Sequence, residues 1–141
     1  MSELKSLQRL LVVQAIYEIS LNPERKKIET QKILMDILQN LNVHNKLNKS
    51  NLNFASNLLK GVISNNNKIL DILHNSMHEK EQLKKSDNML IAIFKPAIYE
   101  LLFDQNLSKN VVISEYLAIA DRFLIKKETG FLNGVLDNLK Y

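Results

Sequence analysis

Leu10-Leu-Val-Val-Gln-Ala-Ile-Tyr-Glu-Ile19 is the stretch whose reading decides the fold, because only Gln14 and Glu18 in it are clearly polar. Wound as a helix, it presents apolar side chains on nearly every side. A helix of that kind is surrounded by other helices rather than laid on a surface. The pattern extends back through Leu4, Leu7 and Leu11 on one face, so the helix is predicted from about Ser2 to Leu21, with Asn22-Pro23 ending it. Its first turns are expected to project outward and its second half to sit centrally.

Helical spacing recurs along the rest of the chain, and strand-like alternation is nowhere sustained. A second helix is predicted over about Glu29 to Leu41, then a polar loop from Asn42 to Asn51 and a third helix from about Leu52 to Asn65. The segment Asn67 to Met77 continues or re-starts that helix, and His78 to Lys85 reads as a charged loop or short turn. Ser86 or Asp87 is placed to cap the next helix, whose apolar pattern runs from Leu90 to Leu102 with Pro96 inside it. Proline there removes one backbone hydrogen bond, so a bend near Phe94 is expected rather than a break. Asn110 can cap a helix to about Leu124, and a last helix runs from about Glu128 to Leu139. The expectation is an all-α domain spanning 1–141 with six or seven helices, its N-terminal half covering about 1–78 and its C-terminal half about 86–141.

The 141 residues are enough to bury a core without covalent staples. There is no cysteine, which excludes disulfides and thiolate metal sites and fits a reducing cytoplasm. The opening Met1-Ser2-Glu3-Leu4-Lys5 does not read as a signal peptide, and Leu10 to Val13 is too short an apolar run to cross a bilayer. A cytoplasmic protein is therefore expected. The net charge of +4 permits nucleic-acid binding without demanding it. Lysine far outnumbers arginine and asparagine is abundant, a pattern that reflects compositional bias as readily as selection for charge.

Parts for catalysis are missing. His74 and His78 stand four apart, but the spacing indicates no third metal ligand, and His74-Asn-Ser-Met-His78 lacks the glutamate of a helical metalloprotease. Three glycines are too few for a phosphate-cradling loop, and Gly130 and Gly134 read as a close-packing pair on the last helix. No serine or threonine has a motif-defined base. No catalytic residue, metal or cofactor is expected, and no enzymatic activity. A modest basic feature remains. Lys5 and Arg9 lie one helical turn apart on the part of the first helix expected to project, and Arg25, Lys26 and Lys27 follow that helix as an auxiliary basic set.

Five ordered blocks resemble the NusB family of transcription antitermination factors. They are Val13-Gln-Ala-Ile-Tyr17, Leu58-Leu-Lys-Gly-Val-Ile-Ser-Asn65, Ala97-Ile-Tyr-Glu-Leu101, Val111 to Phe123, and Thr129-Gly-Phe-Leu-Asn-Gly-Val-Leu-Asp-Asn-Leu139. The last is the most specific. The resemblance implies two packed helical subdomains and no enzyme activity. It implies binding to the boxA RNA of ribosomal RNA leader transcripts, together with the small-subunit ribosomal protein NusE, in an RNA polymerase antitermination complex that promotes read-through. No membrane partner is implied, and either a monomer or a homodimer fits the family.

Carried onto this chain, the resemblance makes Lys5, Arg9, Gln14, Tyr17 and Phe131 the RNA-binding candidates, with Lys26 and Lys27 as auxiliaries. Phe131 can stack on an unpaired base or pack in the core, and Gln14 can reach a nucleotide or satisfy a buried backbone group. Tyr99 and Glu100 read as structural. The basic start of the family's first helix falls on Lys5, Ser6, Leu7 and Arg9, and only Lys5 and Arg9 carry a charge here. The alternative reading is a helical protein-interaction scaffold with weakened RNA binding.

Overall fold

The computed structural model describes residues 3–41, 47–78, 83–84, 87–104 and 106–141. They form seven α-helices: α1 (Glu3–Leu21), α2 (Thr30–Leu41), α3 (Asn53–Ser64), α4 (Asn66–Asn75), α5 (Asn88–Phe103), α6 (Lys109–Phe123) and α7 (Lys126–Asp137). Among the described residues there is no strand, and no helix is long and apolar enough to cross a membrane. The contacts divide the chain into one unit of Met1–Ser64 and a second of Asn65–Tyr141.

In the first unit α1 packs on both α2 and α3, which also pack on each other. Leu10, Leu11, Val12, Val13, Ala15 and Ile16 are all buried, as a helix apolar all round requires. Burial begins earlier than the apolar run, at Gln8 and Arg9. Asn22-Pro23 ends α1 as expected, and Pro23 opens a 3-10 turn, Pro23–Lys27, where its missing N–H costs nothing. A second 3-10 turn, Lys49–Asn51, lies in the expected polar loop, of which 42–46 fall outside the described residues. Its cap is reciprocal: Ser50 N–H donates to Asn48 Oδ1 at 2.9 Å and Asn48 N–H to Asn51 Oδ1 at 2.7 Å.

Two side chains tie the helices of this unit together. The hydroxyls of Thr30 and Ser56 share a hydrogen bond of 2.8 Å between α2 and α3. The buried Gln8 Oε1 accepts from the Ala55 N–H at 3.0 Å, while its Nε2 donates to Leu4 O at 3.3 Å. Ala55 is in the first turn of α3, whose amides have no partner inside their own helix. Gln8 therefore completes the start of α3 from another helix.

In the second unit α5 is the hub, packed on α4, α6 and α7, with α6 and α7 also in contact. α3 ends at Ser64 and α4 is a fresh start, grouped by its contacts with α5 rather than with the N-terminal helices. Its stripe of Ile69, Ile72 and Leu73 is buried. α5 runs unbroken through the buried Pro96. Asp87 stands at its N-cap, but the carboxylate accepts from Lys84 N–H at 2.7 Å rather than from the helix. Ser86, the other candidate cap, lies outside the described residues.

The cap of α6 is Ser108, not Asn110: its Oγ accepts from Val111 N–H at 3.4 Å, and the helix starts at Lys109. α7 starts two residues before the expected Glu128, because Glu128 reaches back to accept the Ile125 N–H at 3.1 Å. Inside the unit, the hydroxyl of the fully buried Tyr116 donates to the carboxylate of Glu100, itself only 3% exposed. Tyr99 stacks on Phe103 with centroids 5.1 Å apart. Both residues of the Tyr-Glu pair thus make contacts within the unit.

Candidate nucleic-acid interface

Lys5 and Arg9 meet on one ring. The Lys5 ammonium lies 5.2 Å from the centroid of Phe54, and the Arg9 guanidinium 5.0 Å from it. Phe54 is half-buried near the start of α3, on the segment that Gln8 pins. The two cations differ in access. Lys5 is exposed, whereas Arg9 is 0% exposed. The projecting part of α1 therefore ends before Arg9, which presents no surface to a ligand in this structure.

Gln14 and Tyr17 point elsewhere. Gln14 follows Lys5 by nine residues, which at about 100° per residue is half a turn out of phase. It lies with Tyr17 in a cleft of 250 Å³ lined also by Glu18, Leu21, Ile37 and Asn40, on the side of α1 that faces α2. Both side chains are half-buried. Lys5 and Arg9 instead face α3.

The auxiliary lysines do not extend the Lys5 face. Lys26 and Lys27 are exposed in the 3-10 turn beyond the far end of α1, and Lys5 to Leu21 alone spans about 24 Å of helix. Acids accompany that turn. Arg25 Nε lies 3.0 Å from Glu18 Oε1 and its Nη2 3.5 Å from Asp36 Oδ2, while Lys27 Nζ is 3.8 Å from Glu24 Oε2.

Phe131 belongs to the second unit. It is half-buried, with its ring edge-on to the buried Phe94 at 5.8 Å and 85°. It lines a groove of 490 Å³ with Met77, His78, Gly134 and Lys140 among its walls. One side of the ring is packed on Phe94 and another lines the groove. Gly130 and Gly134 do not pack closely. A Cβ added at either would meet nothing within 4 Å, and both residues are exposed. Their spacing leaves one strip of α7 bare beside Phe131.

Sequence reasoning missed Gln8 and Phe54. Neither carries a motif, and only the packing of α1 on α3 brings Phe54 to the basic residues and the Ala55 N–H to Gln8. It also missed Lys95, whose pKa is lowered by burial within α5.

A family model described as the NusB family matches residues 6–140 of the chain. The chain belongs to the NusB family. Among NusB relatives, the transcription antitermination protein NusB of Rickettsia akari (strain Hartford) is 32% identical over 147 aligned residues, covering 96% of this chain and 90% of the relative. That of Rickettsia massiliae (strain Mtu5) is 31% identical over 140, with the same coverage. Two solved structures share the fold. NusB of T. maritima superposes with a TM-score of 0.73 at 24% identity, covering 97% of this chain and 90% of that one. A NusB solved with NusE and double-stranded RNA gives 0.77 at 17% identity, covering 97% and 96%.

Proposed function

We propose that this chain is a transcription antitermination factor that binds boxA RNA of ribosomal RNA leader transcripts together with NusE and promotes read-through by RNA polymerase. The observation that carries this reading is the NusB-family match over residues 6–140, with curated relatives called transcription antitermination proteins at about 30% identity over nearly the whole chain. The NusB solved with NusE and RNA supports it, since that fold covers 97% of this chain. The chain acts by binding and carries out no catalytic step. It works inside the RNA polymerase antitermination complex in the cytoplasm, as a monomer or a homodimer.

In this reading Lys5 meets phosphate and Phe131 offers its open side to an unpaired base. Gln14 and Tyr17 line a second contact cleft, and Lys26 and Lys27 add distant electrostatic attraction. Arg9 acts from beneath the surface rather than as a direct contact.

The scaffold reading is favoured by one observation. The basic start of α1 reduces to a single exposed cation, since Ser6 and Leu7 are uncharged and Arg9 is buried. Titration of boxA RNA with and without NusE, at about 50 mM and about 200 mM salt, separates the two. The antitermination reading expects affinity that falls with salt and rises with NusE. NusE binding with no RNA contribution at either salt establishes the scaffold instead.

A further inference from the structure

We propose that Phe54 is a positioning residue for RNA binding, its ring holding the Lys5 ammonium in place to meet a phosphate. The proposal rests on the antitermination reading, because it takes the ligand to be RNA.

An exposed lysine samples many rotamers, and binding a phosphate must freeze them. The Phe54 ring reduces that freedom beforehand. Its face attracts the ammonium 5.2 Å from the centroid. An aromatic ring has a quadrupole but no net charge, so it orients the cation without cancelling it. Among the described residues Lys5 makes no ion pair. Arg25, Lys27 and Lys109 each lie against a carboxylate that competes with any phosphate.

The ring is itself held. The Arg9 guanidinium, wholly buried, lies 5.0 Å from the same centroid, and desolvation strengthens such a contact. The neighbouring residue, Ala55, is fixed by its N–H bond to Gln8, one turn along α1 from Leu4, whose carbonyl Gln8 also engages. Gln8, Arg9 and Phe54 thus form a braced platform under one exposed cation. With Ser6 and Leu7 uncharged, a single pre-oriented lysine is what remains of a basic helix start.

The test uses the full chain with NusE and boxA RNA, comparing wild type, Phe54→Leu, Phe54→Tyr, Lys5→Met and the double variant Lys5→Met with Phe54→Leu. Phe54→Leu is expected to weaken RNA binding by about two- to five-fold, the scale of an exposed cation–π contact, and Phe54→Tyr to retain it. In the Lys5→Met background, Phe54→Leu is expected to cause no further loss. An equal loss in both backgrounds means that Phe54 acts only through the fold and overturns the proposal, as does wild-type affinity in Phe54→Leu. Wild-type affinity in Lys5→Met overturns it too, while leaving the antitermination reading intact. Failure of the wild-type chain to bind RNA with NusE removes that reading and the proposal with it. A measurement needing no substitution stands beside these: the Lys5 ε-methylene protons of the free wild-type chain should be shifted upfield by the ring current in NMR. Ordinary lysine shifts there overturn the proposal even if Phe54→Leu fails to fold.

Discussion

Helix α1 has basic side chains near both ends, and the two ends treat them in opposite ways. At its start, Lys5 and Arg9 lie against the ring of Phe54. Beyond its end, Arg25 sits between Glu18 and Asp36, and Lys27 stands near Glu24. A carboxylate cancels the charge it attracts, whereas a ring does not. Arg25 and Lys27 thus have carboxylates beside them where Lys5 has a ring, and the formal net charge of +4 says little about where a phosphate would settle.

The largest effect is expected on removing the buried cation. Arg9→Ala empties a fully buried position and loses the packing of a long aliphatic stem. We expect a stability loss of about 2–4 kcal/mol in urea unfolding, the scale of truncating a large core side chain. Next comes the brace. Gln8→Ala leaves the Ala55 N–H buried without its acceptor, with an expected cost of about 1–3 kcal/mol in the same assay. An unfolding midpoint unchanged from wild type in either variant would show that the start of α1 is not braced.

Lys5→Glu should leave stability nearly unchanged and weaken boxA RNA binding by about tenfold, with a shallower salt dependence. Lys26→Glu combined with Lys27→Glu should do markedly less, both read by fluorescence-anisotropy titration of the RNA. Equal effects at the two ends would dissolve the distinction between them. The smallest change is expected of Arg25→Ala. Its ion pairs involve partly exposed acids, so the stability loss should be below about 1 kcal/mol, against the much larger loss for Arg9→Ala.

The sequence made the helices legible because apolar periodicity is a local signal. Leu10 to Val13, Ala15 and Ile16 read as central and are buried, and Asn22-Pro23 read as a stop and is one. Caps were less legible. Asn110 and Ser108 both suit a helix start, and only backbone geometry chose Ser108. Gly130 and Gly134 suggested close packing, but a spacing cannot tell which face of a helix is covered, and theirs is open. Among the site residues, Lys5 and Arg9 were legible as neighbours, yet their accessibility was not. The burial of Arg9 depends on where α3 presents Phe54, and nothing local to α1 encodes that. Gln14 and Tyr17 entered through resemblance; helical phase sets Gln14 opposite Lys5, and only the packing of α2 decides what they face.

Gln8 has a consequence for the order in which the chain assembles. Amides in the first turn of a helix ordinarily exchange with solvent as the end frays, whatever the rest of the protein is doing. The Ala55 amide is different, because its acceptor lies 47 residues upstream. Its exchange should be slow only while α1 is docked on α3, so one backbone proton reports the closure of a long-range contact. During synthesis the acceptor emerges well before the donor. The first helix then waits for the third, and the beginning of α3 is finished by a side chain made long before it.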